Sequence, residues 1–245
     1  MYKFDAKKTK DELIEWIKDW FEHNGKDCIA IVGISGGVDS SVVAALCVEA
    51  LGESRVFGVL MPAGEQADIH YSWLLCNHLN ISYKTININY PISNVLSEMI
   101  LQNIKISNQT QINLPPRIRM ATLYAVSQSM NGRVANTSNL SESYVGYDTK
   151  WGDSVGDFSP LANLTKTEIR EVAQELGLPE KLINKTPLDG LCGKTDEENF
   201  GFTYKVLDRY IRTGGIDDLN IKKKIDEMHE KNLFKLQPMP SFKIN

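Results

Sequence analysis

The first 140 residues alternate between short apolar segments and segments in which apolar residues recur every three or four positions. The short segments are rich in β-branched residues and are typical of strands buried on both faces, whereas the longer spacing is typical of helices. Strands that alternate with helices indicate a parallel sheet with helices on both of its faces. The predicted strands cover residues 28–34, 56–61, 81–88 and 133–137, and the predicted helices between them cover residues 40–51, 67–79, about 95–104 and about 117–130.

Two capping boxes, in which a Thr is followed three positions later by a Glu, indicate further helix starts. Thr9 and Glu12 predict the start of a helix near the amino terminus, before a run of apolar residues at helical spacing. Thr165 and Glu168 predict the start of a helix that ends at Gly177. In both cases the capping residues indicate the helix start without reference to the spacing of apolar residues.

The later part of the chain contains two polar, irregular stretches, residues 140–160 and 185–201. Connections of that length within a compact domain are usually functional or mobile. The chain after them is predicted to be helical up to Pro238. We therefore expect an α/β fold, a doubly wound parallel sheet with flanking helices and a helical C-terminal portion, with residues 1–245 forming a single domain.

Composition excludes several classes of protein. A formal net charge of -4 excludes a generally basic nucleic-acid-binding protein. The longest apolar runs, residues 28–34 and 42–48, are far shorter than the roughly 20 residues that span a bilayer. The cysteines form no CxxC pair, and the amino-terminal segment lacks the apolar core of a secretory signal. We expect a cytoplasmic protein with neither nucleic-acid nor membrane partners.

The most informative segment is GISGGVDSS at residues 33–41, between the first predicted strand and the next helix. Ligands of open α/β sheets bind beyond the carboxyl ends of the strands, and the free N–H groups at a helix start suit a phosphate. The two adjacent glycines allow a close approach to an anion, and three serine hydroxyls add donors. A carboxylate there, Asp39, is expected beside a phosphate when a hard cation such as Mg²⁺ lies between them.

Other loop motifs are either absent or incomplete. The chain has no G-x-x-x-x-G-K-[ST] and no G-x-G-x-x-G, so neither a P-loop nor a Rossmann fingerprint is present. Residues 33–37 do match G-x-S-x-G, the nucleophile elbow of α/β-hydrolases, with Ser35 as the nucleophile. That alternative needs a downstream His, and only His229 lies far enough along the chain. A serine hydrolase therefore stays open as a weaker alternative.

The run S-G-G-x-D-S at residues 35–40 resembles the pyrophosphate-binding loop of the N-type ATP pyrophosphatases. That resemblance implies cleavage of ATP between its α- and β-phosphates and adenylation of a carboxyl or carbonyl oxygen. A nitrogen or sulfur nucleophile then displaces AMP. The loop does not distinguish among the members of this superfamily.

Downstream segments resemble one member family, the ammonia-dependent NAD synthetases, through most of the chain. The run T-K-x-G-D is the most specific of these signals. The matching segments are residues 113–120 (N-x-x-A-R-x-R-M in the family), 136–142 (G-T-x-x-x-x-E), 146–161 (G-x-x-T-K-x-G-D…D…P-L), 164–166 (L-T-K), 189–191 (D-x-L) and 195–204 ([ST]-D-E…G-x-x-Y).

The resemblance assigns roles position by position. It implies that ATP is bound by the loop after the first strand, by Thr137 and by Lys166, and that Asp39 and Glu142 bind Mg²⁺. Asp39 and Lys166 are the implied catalytic residues, since a metal and a Lys would stabilise charge that develops at the α-phosphorus. The implied ATP-binding residues are Gly33, Ile34, Ser35, Gly36, Gly37, Val38, Asp39, Ser40, Thr137 and Lys166, and the implied deamido-NAD-binding residues are Arg117, Lys150, Asp157 and Lys235.

The implied reaction converts ATP, deamido-NAD and ammonia into NAD, AMP and pyrophosphate in a homodimer with substrate sites at its interface. Ammonia rather than glutamine is expected, because the sheet begins within the first thirty residues and leaves no room for a glutaminase domain. Two alternatives remain besides the hydrolase. One is a pyrophosphatase that amidates or thiolates another substrate, and the other is a non-catalytic ATP sensor.

The chain departs from the family pattern at three places. Pro115 and Pro116 stand where the family often has Lys-Ala, so a contact from that Lys is absent. Leu188 replaces a common Ser or Thr, which puts a hydroxyl contact to ATP in doubt. Phe234 replaces the His of a His-Lys pair and leaves only Lys235 for deamido-NAD.

Overall fold

The computed structural model describes residues 2–185 and 195–244. Within them four strands form one parallel sheet, β1 (Ile29–Gly33), β2 (Val56–Leu60), β3 (Ser82–Thr85) and β4 (Gly132–Ala135). The order across the sheet is β3-β2-β1-β4. The chain winds outward from β1 to β3 and then returns to place β4 on the other side of β1. This arrangement confirms the predicted doubly wound parallel sheet.

Helices connect the strands and form most of the described chain after β4. A short 3₁₀ helix, Glu53–Arg55, precedes β2. The α-helices are α1 (Ala6–Asn24), α2 (Val38–Leu51), α3 (His70–His78), α4 (Asn89–Leu101), α5 (Asn108–Ser129), α6 (Leu140–Val145), α7 (Lys166–Glu175), α8 (Glu180–Ile183), α9 (Asp196–Phe200), α10 (Tyr204–Thr213) and α11 (Leu219–Leu236).

The side chains of β1 alternate between two hydrophobic cores. Ala30 and Val32 pack with α1, α2 and α7 on one face of the sheet. Ile31 packs on the other face with Val59 of β2 and with Leu123 of α5. Because both faces are covered by helices, every position at the centre of β1 is buried, and its sequence is continuously apolar rather than alternating.

The predicted capping box at Thr9 is wrong. Helix α1 begins at Ala6, and its N-cap is Asp5, whose side chain accepts the N–H of Lys8 at 3.0 Å. Thr9 therefore lies inside the helix. Asp is as good an N-cap as Thr, and the start at Asp5 adds a further turn of helix. The second capping box, at Thr165 and Glu168, is confirmed at the start of α7.

Helix α5 begins well before the predicted start near residue 117. Ser107 caps it by accepting the N–H of Thr110 at 3.1 Å, and the helix continues through Pro115 and Pro116. Proline normally interrupts a helix because it lacks an N–H and clashes with the preceding turn. Here Pro115 is buried, and a Cβ on Gly152 would lie 2.9 Å from the Cβ of Pro116, so a tightly packed loop covers this turn.

Both stretches predicted as irregular contain a short helix. Helix α6 lies in residues 140–160, and Asn139 caps it by accepting the N–H of Glu142 at 2.9 Å. Helix α9 lies in residues 185–201 and begins with a capping box of Thr195 and Glu198. Helices this short carry too little periodicity to be recognised.

The helical C-terminal portion is confirmed, and it packs around α6. Val145 of α6, Leu207 of α10 and Ile225 of α11 form a separate buried cluster. Since α6 begins directly beyond the carboxyl end of β4, these helices build up that edge of the sheet. No described helix is long and apolar enough to cross a membrane.

Candidate active site

The loop between β1 and α2 packs closely against α3. Gly36 has a φ of +75°, and a Cβ there would lie 2.7 Å from the Cβ of Tyr71 and 2.9 Å from the backbone nitrogen of Ser72. Both the conformation and the space therefore require glycine. The Ser72 hydroxyl donates to the carbonyl of Ile34 at 3.2 Å, which ties the loop to α3.

The serine hydroxyls of this loop form a compact hydrogen-bonded group. Ser35 is exposed, and its Oγ accepts the N–H of Gly37 at 3.2 Å and lies 3.0 Å from Ser40 Oγ. Ser40 and Ser41 donate to the carbonyl of Gly37 at 3.1 and 2.8 Å. Gly37 provides no side-chain cap, so the N–H groups at the start of α2 can bind an anion.

Lys166 connects the loop after β1 with the segment after β4. Its Nζ donates to Asp39 Oδ2 at 2.6 Å and to Glu142 Oε1 at 2.9 Å. Asp39 lies in the first turn of α2, Glu142 in the first turn of α6, and Lys166 at the first position of α7. The structure therefore brings together the three residues to which metal and phosphate roles were assigned.

Burial and charge act against each other in this cluster. Burial alone would lower the pKa of Lys166, but the carboxylates of Asp39 and Glu142 outweigh it and raise the pKa above its usual value. Burial raises the pKa of Glu142 despite the attraction of Lys166. The two carboxylates therefore favour the charged form of Lys166, and burial makes the charged form of Glu142 costly.

Asn139 orients the carboxylate of Asp39 and caps the helix that carries Glu142. Its side-chain N–H donates to Asp39 Oδ1 at 3.1 Å, and its side-chain oxygen accepts the backbone N–H of Glu142. Asn139 is fully buried, so these contacts replace water. The amide therefore fixes the start of α6 relative to the start of α2.

Asp196 and Tyr204 extend the cluster, and sequence reasoning gave neither of them a role. The Tyr204 hydroxyl donates to Asp196 Oδ2 at 2.9 Å and lies 3.3 Å from Glu142 Oε1. Lys166 Nζ lies 5.2 Å from the centre of the Tyr204 ring. The signal was present, since both residues belong to the [ST]-D-E…G-x-x-Y segment. Burial raises the pKa of Asp196.

Thr137, assigned to ATP, lies two residues after β4 and is half-buried. Its neighbours hold the strand end in place, since Asn136 donates its backbone N–H to the carbonyl of Phe158 at 2.9 Å. Thr137 is therefore at the carboxyl edge, close in the chain to Asn139. Leu188 and Asp189 lie outside the described residues.

A second group of assigned residues lines a cavity of about 370 Å³ beyond the end of β4. Lys150 and Lys235 both line it, together with Ser138 and Asp148. Lys150 Nζ donates to the carbonyl of Phe234 at 2.7 Å. Lys235 Nζ donates to the carbonyl of Asp148 at 2.8 Å and lies 4.0 Å from its carboxylate. Two lysines and one aspartate therefore give the cavity a lining with net positive charge.

Arg117 and Asp157 flank this cavity rather than line it. Arg117 is exposed and donates weakly, at 3.4 Å, to the carbonyl of Lys150. Asp157 accepts the backbone N–H of Val134 at 2.7 Å and the hydroxyl of Tyr124 at 3.3 Å. Asp157 thus has a structural role at β4 in addition to any contact with substrate.

The residues present fit a Mg²⁺ site that is completed by substrate. Asp39 and Glu142 already direct carboxylate oxygens at one cationic atom, the Nζ of Lys166. In the part of the chain that the structure describes, no group of three or more His, Cys, Asp or Glu side chains could hold a metal. Magnesium usually takes one or two carboxylates and draws its remaining ligands from phosphates and water.

The contacts of Ser35 and His229 do not support the hydrolase alternative. The Ser35 hydroxyl hydrogen-bonds within its own loop. His229 stacks on the ring of Tyr144 at 4.0 Å, and its Nδ1 bonds the Tyr144 carbonyl at 2.8 Å. A nucleophilic serine needs a histidine within hydrogen-bond reach, and these two side chains are engaged elsewhere.

In doubly wound sheets, nucleotides bind beyond the carboxyl ends of the two strands at which the strand order reverses. Here those strands are β1 and β4, and the loop and the charged cluster follow them. The fold and the site therefore place the chain in the class of nucleotide-binding α/β enzymes. The NAD synthase family model matches residues 9–245. The chain belongs to the NAD synthase family.

Matches to individual relatives cover most of both this chain and the relative. The NH3-dependent NAD+ synthetase of Thermococcus sibiricus is 41% identical over 224 residues, which cover 91% of this chain and 86% of the relative. Among solved structures, the NMN synthetase of Francisella tularensis has a TM-score of 0.90 at 29% identity and covers 99% of this chain and 100% of that one. The NH3-dependent NAD synthetase of Campylobacter jejuni, in complex with nitrate, has a TM-score of 0.78 at 31% identity with coverages of 99% and 100%.

Proposed function

We propose that this chain catalyses the amidation of deamido-NAD by ammonia, with cleavage of ATP, to give NAD, AMP and pyrophosphate. Family membership makes the chain an amide-forming ligase. The names of its curated relatives, all NH3-dependent NAD+ synthetases among the most similar ones, support ammonia as the nitrogen donor.

The observation that carries the proposal is the Lys166 ammonium held between Asp39 and Glu142. These residues follow β1 and β4, the pair of strands between which the direction of winding reverses. An open α/β sheet binds its ligand at this position. Since helices from both halves of the sequence meet there, we further propose that residues 1–245 act as one domain.

The ATP phosphates bind at the start of α2 in this proposal. The glycines admit the phosphates, the hydroxyls and free N–H groups donate to them, and Lys166 contributes its positive charge. Thr137 contacts ATP from the end of β4. The ATP-binding set is Gly33, Ile34, Ser35, Gly36, Gly37, Val38, Asp39, Ser40, Thr137 and Lys166.

The reaction has two displacements. A carboxylate oxygen of deamido-NAD attacks the α-phosphorus of ATP, and the bond to the bridging oxygen of the β-phosphate breaks to release pyrophosphate. The ammonia nitrogen then attacks the activated carbonyl carbon, AMP leaves with its oxygen, and the nitrogen loses a proton to give the amide. Lys166 stabilises charge that develops on the phosphates. No protein nucleophile is needed, so catalysis is largely positioning.

Asp39 and Glu142 are the residues that would hold Mg²⁺. When bound, the metal would neutralise charge on the phosphates as a Lewis acid. Lys166 now pairs with the same two carboxylates. Its hydrogen bonds to Asp39 and Glu142 would therefore change if these carboxylates held the metal and Lys166 bound the phosphates. The buried amide of Asn139 would keep the Asp39 carboxylate and the backbone at the start of α6 in place.

Deamido-NAD binds, in this proposal, along the cavity beyond β4. Lys150 and Lys235 offer positive charge from its wall, Arg117 can make a bidentate contact with a phosphate from its rim, and Asp157 lies beside the end of β4. Phe234 stands beside Lys235, where it offers a ring in place of an imidazole donor.

We propose a homodimer with substrate sites near its interface. Helices α4 and α5 cover one face of the sheet and present large apolar side chains to solvent. Exposed apolar surface of this kind marks interaction sites. The exposed apolar residues on and between these helices are Tyr90, Val95, Ile100, Leu101, Ile104 and Ile112.

The experiment that tests the function is an endpoint assay with ATP, Mg²⁺ and deamido-NAD, with ammonium or glutamine as the nitrogen donor. We expect NAD and AMP in equal amounts with ammonium alone. AMP without NAD would move the acceptor to another substrate, and the absence of both products would contradict the proposal.

A second candidate, the formation of NMN, is favoured by one observation. The NMN synthetase of Francisella tularensis gives a TM-score of 0.90 over the full length of both chains, against 0.78 for the Campylobacter NAD synthetase. A competition assay with equal concentrations of the two acid substrates, deamido-NAD and deamido-NMN, separates the candidates. We expect deamido-NAD to be amidated preferentially, and a preference for the mononucleotide would favour the second candidate.

A further inference from the structure

Arg119 is a partly buried cation on α5 to which the proposed reaction assigns no role. Its Nε donates to the carbonyl of Met61 at 3.1 Å. Among the residues that the structure describes, Arg119 forms no ion pair, and no acceptor binds its two terminal nitrogens. A guanidinium has five N–H donors, so most of its hydrogen-bonding capacity remains available.

The position of Arg119 is at the carboxyl edge of the sheet. Met61 directly follows β2, and a Cβ on Gly33 at the end of β1 would lie 3.4 Å from side-chain atoms of both Met61 and Leu123. Leu123 is one helical turn after Arg119, so this face of α5 lies against the ends of β1 and β2. Arg119 thus lies on the face of the sheet opposite to Lys166 of α7, at the same carboxyl edge.

The electrostatic surroundings of Arg119 do not compensate its charge. Burial lowers the pKa of Arg119, and the carboxylate of Asp153 only partly opposes this effect. Asp153 Oδ1 is itself bound by the backbone N–H of Thr149 at 2.5 Å. A desolvated cation without a hydrogen-bonded counter-ion is costly, and such groups are concentrated at ligand sites.

We infer that Arg119 binds an oxyanion of a bound substrate through the terminal nitrogens of its guanidinium. The hydrogen bond from Nε to Met61 fixes the plane of the group, so the remaining edge is preorganised for a bidentate contact with a phosphate or carboxylate. This inference rests on the proposed function, because the substrates supply the oxyanion. Lys166 and Arg119 would then hold the reacting groups from opposite sides.

Arg55 provides a matched control. Its Nε and terminal nitrogen also donate to backbone carbonyls, those of Cys28 and Lys26, and it too forms no ion pair with a described residue. It lies directly before β2, at the amino edge of the sheet. Arg55→Gln therefore removes a comparable structural arginine far from the proposed ligand.

The test is calorimetric binding to wild type, Arg119→Gln, Arg119→Lys and Arg55→Gln, together with thermal unfolding. The ligands are deamido-NAD, NAD and α,β-methylene ATP with Mg²⁺. We expect Arg119→Gln to weaken at least one ligand by about 10- to 100-fold, since a charge-assisted contact is lost. Arg119→Lys keeps the positive charge but lacks the planar guanidinium that makes a bidentate contact, so we expect an intermediate loss of affinity.

The pattern of losses identifies the oxyanion. Weaker binding of deamido-NAD alone assigns the carboxylate that NAD lacks, weaker binding of both dinucleotides assigns their phosphates, and weaker binding of the ATP analogue assigns the phosphates of ATP. Unchanged affinities in both Arg119 variants, with reduced thermal stability as in Arg55→Gln, would overturn the inference. Failure of the wild-type protein to bind either substrate would instead overturn the proposed function and the inference with it.

Discussion

Lys166 Nζ lies 2.6 Å from Asp39 Oδ2, although 127 positions separate the two residues in the sequence. Their side chains are only 3% and 17% exposed. Removal of one partner from an ion pair that is shielded from water strongly destabilises a protein, because the other charge is left buried and unpaired. The pair therefore fixes α7 against the start of α2, and it keeps a positive charge beside the loop after β1, where we propose that the ATP phosphates bind.

Replacement of Lys166 should abolish most of the activity. We expect Lys166→Met to lower kcat/KM by about 100- to 1000-fold, because a charge that stabilises the phosphates is lost. Since the change also leaves two acidic groups without their cation, Lys166→Arg is the second variant, which keeps the charge and should remain folded. Lys181→Met, at an exposed position, is the control. Activity near the wild-type level in Lys166→Met would contradict the assigned role.

Replacement of Glu142 should weaken metal binding. We expect Glu142→Gln to raise the Mg²⁺ concentration needed for half-maximal activity by at least about tenfold, since even changes around metal ligands cost that much. Binding of Mn²⁺ in the presence of α,β-methylene ATP, followed by electron paramagnetic resonance, gives a readout independent of turnover. Glu175→Gln, exposed on α7, is the control, and equal Mn²⁺ affinity in the two variants would argue against Glu142 as a ligand.

The sequence allowed prediction of features that depend on local pattern. The continuous apolar sequence of β1 and the capping box at Thr165 both involve neighbouring residues, and each is confirmed. Resemblance then selected Glu142 and Lys166, which the fold brings together. Their roles in binding and catalysis stay predictions.

Features that depend on tertiary packing could not be predicted. Helix α5 continues through Pro115 because the helix is packed there, and proline propensity alone predicts a break. Tyr204 and Arg119 belong to segments that resemble motifs of the family. Their positions in the sequence do not indicate that Arg119 donates to the carbonyl of Met61 or that Tyr204 donates to the carboxylate of Asp196. Such contacts arise only when distant elements converge at one edge of the sheet.

The apolar surface of α4 should be buried in a dimer. Leu101 is 69% exposed at the end of this helix. We expect the wild-type protein to sediment as a dimer and Leu101→Glu to shift it toward monomer, because a buried unpaired charge is costly. Leu219→Glu, at a position 75% exposed on α11, is the control and should leave the dimer intact. A wild-type monomer at all concentrations tested would contradict the proposed interface.

Glu168 should make the stability of the protein dependent on pH. Its carboxylate accepts hydrogen bonds from Arg212 at 2.6 and 2.7 Å and from the hydroxyl of Tyr2. Burial alone would raise the pKa of Glu168, but these hydrogen bonds and that of the Thr165 N–H outweigh it and lower the pKa below 4.5. Because the folded-state pKa is below the unfolded one, the stabilisation is complete at neutral pH and is lost as the pH falls through the folded-state value.

Glu168→Gln tests this linkage when its free energy of unfolding is compared with wild type between pH 7 and pH 3. We expect the variant to be about 3 kcal/mol less stable at pH 7, since Arg212 loses its buried partner. The difference should shrink below about pH 4.5, where protonation removes the same interaction from the wild-type protein. Glu175→Gln should follow wild type throughout, because that side chain is exposed on the same helix. A difference between Glu168→Gln and wild type that stays constant down to pH 3 would mean that the carboxylate charge contributes nothing, and that the loss at pH 7 reflects packing alone.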